Sequence, residues 1–477
     1  MIEIEANYQP HLDENLNGNP LTEAITVELD KKAFLREITC TPKIQQNFWS
    51  LPPIYQMTQL RQLTDVHQPL PQAWNLYNKL LGLILYSYTR RNPFSREMIL
   101  QKTNIAEELR KGRFTKGVPV GLTTAPSVLI SGDSGTGKTT TIRTLLRKIP
   151  QVIHHINYRG RHFANKQLTW VSFDLPPNGA PKAMAANFFR AVDIALGTDY
   201  AAEWDERQKD SIDKHLSGMQ QVAAEHNLGL AHVDELQFML AYAKTPNSPS
   251  LQILESLFNK IGVPIVQSST AEGVALFDTL ETGDHRIGPD MTTVRRMLND
   301  RAFQFSNHGV NSEYFNTLFD TLFPTGLIYD VNGSDVMAFR NRFHQLSCGL
   351  PAVMIRLALL HHETLLTLLS KTVAGASGYQ TYDVNLLNRV YKNQFNLIDP
   401  ALAQYRRGDK LGYEDSIRAE TQKTVYSNQD MKKEQKKLSK KTPNVIKTEH
   451  AERLIMGVNE HMSQKDFLQG FDEGLND

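Results

Sequence analysis

The sequence predicts an α/β fold, a parallel doubly wound sheet followed by an all-helical region, on three observations. Between about residues 125 and 308, short apolar runs bounded by turn residues alternate with helical patterns. The first such run, Ser127 to Ser131, opens into a glycine-rich turn and then a helix. From Ser312 to about Tyr405 only helical spacing remains.

Taken in order, residues 1 to about 45 are polar and rich in Pro and Asn, and read as an arm that docks on something. From Phe48 to about Val118 the pattern is helical, with Trp74, Leu76, Leu80, Leu81, Leu83, Ile84 and Tyr86 on one broad apolar face. Ser127–Ser131 suits a strand buried on both faces. A basic loop, with Arg159, Arg161, His162 and Lys166, leads to a second strand over 168–173. The spacing then predicts one helix over 182–196, closed by Gly197, and another over 204–225. Leu228–Val233 and Pro264–Ser269 are a third and a fourth strand, and Phe303–Phe305 a fifth. Strands alternating with helices imply right-handed crossovers and a parallel sheet. The expected domains are an N-terminal arm and helical docking region (1–124), an α/β core (125–308), a helical lid (309–410) and a flexible charged tail (411–477). In that tail, Met431 to Lys447 holds seven Lys against one Glu, and 448–477 holds seven acids against two bases. Such blocks favour interaction tails.

Composition narrows the function classes. Lys and Arg total 52 against 51 acids, a net charge of +1, so any contact with nucleic acid must be local. No apolar run approaches the roughly 20 residues that a membrane span needs. The acidic N-terminus lacks the basic-then-apolar order of a secretory signal. Two cysteines, Cys40 and Cys348, exclude a disulfide framework. The expectation is a soluble cytoplasmic chain without a membrane partner.

The strongest motif is Gly132-Asp133-Ser134-Gly135-Thr136-Gly137-Lys138-Thr139, with Thr140 next in the helix. It fits G-x-x-x-x-G-K-[ST] between a strand and a helix. Glycines let backbone N–H groups curl around phosphate oxygens, and the helix N-terminus adds positive potential. Lys138 is placed to meet β- and γ-phosphates, and Thr139 to offer a hydroxyl to Mg²⁺. About 95 residues on, the third strand delivers Asp234 and Glu235 to the carboxyl edge of the sheet, where ligands of open α/β sheets bind. Asp234 is the expected Mg²⁺ ligand, mainly through water, and Glu235 the group that polarises an attacking water. His232, inside that strand, reads as a packed core histidine. Ser269 and Thr270 end the fourth strand beside the loop, and a hydroxyl there can orient the water. Arg295 and Arg296, with Arg301 ranked below them, are candidates to reach a neighbouring subunit's γ-phosphate. Lys182, Arg159 and Arg161 are candidate DNA contacts, since basic loops track phosphates without reading sequence. The pairs His154-His155 and His361-His362 lack ligand spacing and read as structural.

With these residues in place, the chain resembles an AAA+ P-loop ATPase. More closely it resembles TnsC, the regulator of transposons with a multi-protein transposase, and more distantly TniB and IstB. Beyond the ATP motifs, the resemblance rests on Arg91-Asn92-Pro93, Pro150 to His154, Asn187 to Ala191 with Ala195-Leu196-Gly197, Asp234 to Gln237, and Ile261 to Pro264. It covers roughly residues 85–400. It implies ATP and Mg²⁺ as cofactors and assembly into a ring or filament on double-stranded DNA. It further implies recruitment by a TniQ- or TnsD-like target selector, followed by TnsA- and TnsB-like transposase subunits. It also implies that Arg91, Asn92 and Pro93 lie near the adenine, that Thr270 is the sensor hydroxyl, and that Gly349-Leu350-Pro351 opens a lid helix. Arg356 falls too far along that helix for the usual second sensor. Two rival readings share the ATP motifs: a replication-initiator or helicase-loader ATPase, and a nucleotide-gated scaffold without hydrolysis.

Overall fold

The computed structural model describes residues 3–100, 103, 107, 126–176, 181–238, 262–270, 280–282, 285–287, 303–371 and 378–417. Met1–Glu414 form one compact unit and Asp415–Asp477 a second, of which only residues 415–417 are described.

Among the described residues, ten strands occur in chain order: β1 (Glu3–Glu5), β2 (Ser127–Gly132), β3 (Val152–Tyr158), β4 (Arg161–Leu168), β5 (Trp170–Asp174), β6 (Leu230–Asp234), β7 (Ile265–Ser269), β8 (Leu280–Thr282), β9 (His285–Ile287) and β10 (Phe303–Phe305). Five of them form the central sheet in the order β10-β2-β7-β6-β5, every pair parallel. β6 and β7 are buried at every residue, which explains their unbroken apolar reading. Side chains alternate between the faces. Leu129, Ala231, Val233 and Ile265 join one core with Phe188, Phe189, Met219 and Val222. Val128, Ile130, Leu230 and Val266 join the other with Leu80, Ile84, Ile142 and Leu145. The helices Pro181–Leu196 and Ile212–Glu225 therefore cover one face, and Ala73–Thr89 and Lys138–Leu146 the other. The result is a parallel, doubly wound sheet with the glycine-rich loop at its carboxyl edge.

Several sequence expectations are corrected. The basic loop before the second strand is a hairpin: β3 and β4 pair antiparallel, turning at Arg159-Gly160, both at positive φ. Alternation there mixes charged and apolar residues, so it read as loop. The second sheet strand begins at Trp170, because Leu168 closes β4. The N-terminal arm docks on its own chain. β1 lies parallel to β3, and Asn19 donates its side-chain N–H to the Tyr88 carbonyl at 2.7 Å. The helix expected over 204–225 is two, Tyr200–Glu206 and Ile212–Glu225. Ser211 caps the second by accepting the Lys214 N–H. Trp204 stacks on Phe189 at 5.2 Å and fills the space beside Gly218, where any Cβ would collide with its ring.

From Ser312 onward the described residues hold helices and no strand. The helices are Glu313–Leu322, Val336–Ser347, Pro351–Lys371, Val384–Gln394 and Asp399–Arg406. Phe315, Phe319, Phe339 and Phe343 are buried among them. One of these corrects the reading that no apolar run is long enough for a membrane span. Residues Pro351–Ser370 are long and apolar enough to cross a membrane by length and composition. Here the helix is packed in protein, with Met354, Leu357, Ala358, His361, His362 and Leu365 buried. His361 and His362 donate Nε2–H to the carbonyls of Thr381 and Leu322, which ties the helix to its neighbours.

Candidate functional site

β2 ends in the phosphate loop, and the loop is shaped by its glycines. Gly132 passes so close to β10 that a Cβ would strike the Phe305 carbonyl. Gly137 holds φ +86° immediately before the helix Lys138–Leu146, a conformation that favours glycine. An open cleft of ≈ 320 Å³ lies beside it. Lys138, Thr139, Thr140, Asp234, Glu235, Gln237, Ser269, Thr270 and Ala352 line it, with Ser134, Gly135 and Gly137 from the loop. The strand order accounts for this convergence. β7 sits between β2 and β6, so three strand ends empty into one place.

Each functional side chain has defined partners. Thr139 donates its hydroxyl to Asp234 Oδ2 at 2.7 Å. Lys138 Nζ donates to the carbonyls of Gly132 (2.6 Å) and Asp133 (3.0 Å). Burial holds the Lys138 ammonium below the usual lysine range, against the pull of Glu414, Glu235, Asp234 and Asp133. Asp234 accepts the Glu235 backbone N–H at 2.9 Å and the Ser268 hydroxyl. Burial alone would raise its carboxyl. His232 and the donors Ser268, Thr139 and Glu235 N–H outweigh burial and leave it below the ordinary value. Glu235 shifts the other way, raised by burial and by Asp234, against Lys138. Two adjacent carboxyls are thus pushed apart, an ionised oxygen donor beside a more basic neighbour. Glu235 also sits at φ +61°, left-handed backbone that costs a non-glycine residue about 1–2 kcal/mol.

His232 supports this arrangement from behind. It is fully buried, Ser172 Oγ lies 2.9 Å from Nδ1, and Ser268 Oγ lies 3.0 Å from Nε2. Since Ser268 donates to Asp234, its oxygen accepts from His232, which assigns the ring proton to Nε2. Burial pulls the imidazole down to about 4, so it is neutral at pH 7.

The first half of the loop is held differently. Asp133 is buried and accepts from Tyr405 Oη (2.7 Å) and Lys410 Nζ (2.8 Å). Ser134 donates its N–H and its hydroxyl to the two oxygens of buried Glu414, each at 2.6 Å. Tyr413 donates to the Ser134 carbonyl at 3.0 Å, and Ala352 N–H to the Gly135 carbonyl at 3.2 Å. Sequence reading missed Tyr405, Lys410, Tyr413 and Glu414. They lie some 270 residues or more from the loop and carry no motif.

Other candidates fall elsewhere. Arg91 is buried and donates to the Leu228 carbonyl at 2.7 Å, and to Ser87. Asn92 donates to the Gly18 carbonyl at 3.0 Å. Leu228 precedes β6, whose far end carries Asp234, so this contact is about 20 Å from the cleft along the strand. The structure therefore does not bring Arg91, Asn92 and Pro93 to the cleft. Arg91 ties the helix Ala73–Thr89, through Ser87, to the amino edge of the sheet at Leu228. Arg159 pairs with Glu23 at 2.6 Å, Arg161 lies over the Phe94 ring, and Lys182 donates to the Gln208 carbonyl at 2.7 Å. Arg356 lies over Phe395, outside the cleft lining. Arg295, Arg296 and Arg301 lie outside the described residues.

The residues present fit a Mg²⁺-nucleotide. Thr139 Oγ1 and the Asp234 carboxylate are adjacent hard oxygen donors, the type that Mg²⁺ takes. Thr270 Oγ1 is buried in the lining and has no hydrogen-bond partner among the described residues, as expected of a donor awaiting an acceptor.

Residues 122–272 match the family model described as AAA domain. Such a domain implies nucleotide binding. Among solved structures, the chain is similar to a Walker-type ATPase of Pyrococcus abyssi, at 12% identity and TM-score 0.35, covering 67% of this chain and 77% of that one. It is also similar to the structure of Drosophila ORC bound to DNA, at 11% identity and TM-score 0.34, covering 84% and 82%. Neither likeness is close enough to carry a functional inference. No curated protein matches the chain.

Proposed function

We propose that this chain is a TnsC-type AAA+ regulator of DNA transposition that binds ATP with Mg²⁺, assembles on double-stranded DNA and disassembles on hydrolysis. The observation that carries the ATPase reading is the 2.7 Å bond from Thr139 to Asp234, with Glu235 and Lys138 lining the same cleft. When bound, Mg²⁺ supplies charge neutralisation at the phosphates, held by Thr139 and Asp234. Lys138 binds phosphate oxygens, exchanging the loop carbonyls that it now contacts. Glu235 takes a proton from the attacking water, a role that its raised pKa suits. Thr270 orients that water.

The transposition reading is supported by the sequence stretches quoted above. On it, Arg295 or Arg296 reaches the γ-phosphate bound by a neighbouring subunit, which makes hydrolysis depend on assembly. Lys182, Arg159 and Arg161 then contact DNA phosphates, Arg159 only after leaving Glu23. A TniQ- or TnsD-like selector brings the assembly to a site, and TnsA- and TnsB-like subunits act there, in the bacterial cytoplasm. The test is sedimentation of the full chain with duplex DNA, Mg²⁺ and a non-hydrolysable ATP analogue. Rings or filaments on DNA are expected. A single unassembled particle under those conditions contradicts the proposal.

A further inference from the structure

Two residues beyond Glu235, Gln237 lies buried in the short turn Leu236–Phe238. Its carboxamide is engaged at both ends. Oε1 accepts the Thr270 backbone N–H at 3.1 Å and the Ser269 hydroxyl at 3.4 Å. Nε2 donates to Glu235 Oε2. A backbone N–H can only donate, so the amide oxygen must face Thr270 and the NH₂ must face the carboxylate. The orientation of this side chain is therefore fixed by its partners and is not a matter of choosing a flip.

A glutamate carboxylate ends three rotatable bonds and, left alone, spreads over many rotamers. Catalysis needs one of them, since small misplacements of a reacting group are costly. Gln237 holds one carboxylate oxygen, which leaves the other to face a water. The same amide grips the end of β7, where the Thr270 hydroxyl lines the cleft. Asparagine would be one methylene short of spanning the two. Glutamate would set a second carboxylate against Glu235. Leucine keeps the shape and loses both bonds.

We propose that Gln237 is a positioning residue that locks Glu235 in one rotamer and ties it to Thr270, so that base and sensor hydroxyl face the γ-phosphate as one unit. This rests on the reading of Glu235 as the base for ATP hydrolysis.

The experiment is ATP hydrolysis by the full chain with Mg²⁺ and duplex DNA, for wild type, Gln237→Leu, Glu235→Gln and the double variant. Affinity for a fluorescent ATP analogue is measured alongside. Gln237→Leu should lower kcat by about 10- to 100-fold while Kd stays within about two-fold. In the Glu235→Gln background it should cost much less, because the base that it positions is gone. Should the leucine variant fail to fold, Gln237→Asn gives the same readout, a kcat loss at unchanged Kd. Wild-type kcat in Gln237→Leu, or a loss that multiplies with Glu235→Gln, overturns the tether while Glu235 stands as base. Hydrolysis indifferent to Glu235→Gln removes the base itself and the tether with it.

Discussion

The two halves of the phosphate loop, eight residues in all, are built for opposite purposes. From Asp133 to Gly135 the chain is clasped by Tyr405, Lys410, Tyr413, Glu414 and Ala352. From Gly137 to Thr139 it faces the cleft, and the Lys138 ammonium rests on carbonyls of its own loop. The first half is fixed through the buried carboxylates of Asp133 and Glu414, while in the second Lys138 and Thr139 donate to loop carbonyls and to Asp234, bonds that a ligand can exchange. A loop that must present N–H groups in one geometry gains from rigidity behind it. The clasp supplies that rigidity from the C-terminal end of the same compact unit.

The largest test of this division is Lys138→Ala. It removes the one ammonium among the described lining residues and should weaken Mg·ATP binding on the order of 100-fold or more, with little change in Tm. Calorimetric titration and thermal melts read both. Near-native affinity would mean that the open half does not take the phosphates.

Acid should weaken the support behind the open half. His232 braces Asp234 through Ser268, and its folded pKa of about 4 lies below the ordinary 6.5. Between those values the unfolded chain binds more protons than the folded one. The stabilisation is therefore fully present above pH 6.5 and is lost as pH falls toward 4. For His232 alone the loss is about 3 kcal/mol. His155, His308, His361 and His362 are lowered by burial too and add to the slope. Urea unfolding across pH 4–7 should show it, and His232→Asn should flatten it in part. A pH-independent midpoint would contradict the neutral buried histidines.

Breaking the clasp should have the converse signature. Glu414→Ala leaves the Ser134 N–H and hydroxyl without their buried acceptors and should cost about 1–3 kcal/mol of stability. It should lower ATP affinity less than Lys138→Ala does. If Glu414→Ala matched Lys138→Ala in lost affinity and left Tm untouched, the two halves would not differ as described.

Much of the open half was legible in the sequence, because it is built locally. The motif from Gly132 to Thr139, the apolar strand ending in Asp234-Glu235 and the strand ending in Ser269-Thr270 each declare themselves within about ten residues. Parallel topology then forces their ends together, as the order β2-β7-β6 shows. The clasp was illegible because Glu414 and Ser134 lie 280 residues apart, and nothing in either segment announces a partner. Gln237 stood in plain view in a quoted stretch, but its amide is informative only once Thr270 N–H is seen beside it. Arg91-Asn92-Pro93 shows another limit of sequence reading. A short match gives no strand polarity, and the segment meets the sheet at the amino edge by Leu228, far from Asp234. The β3–β4 hairpin was hidden because its outer residues, Arg161, His162 and Lys166 among them, alternate polar character as a loop would.

Phosphate release under saturating Mg·ATP, with duplex DNA, by the wild type and by Glu235→Gln bears most directly on the whole. Turnover by the wild type, and a Glu235→Gln variant that still binds ATP but releases phosphate at least about 100-fold more slowly, is the result expected. Equal release by the two proteins, or none by the wild type, would contradict it.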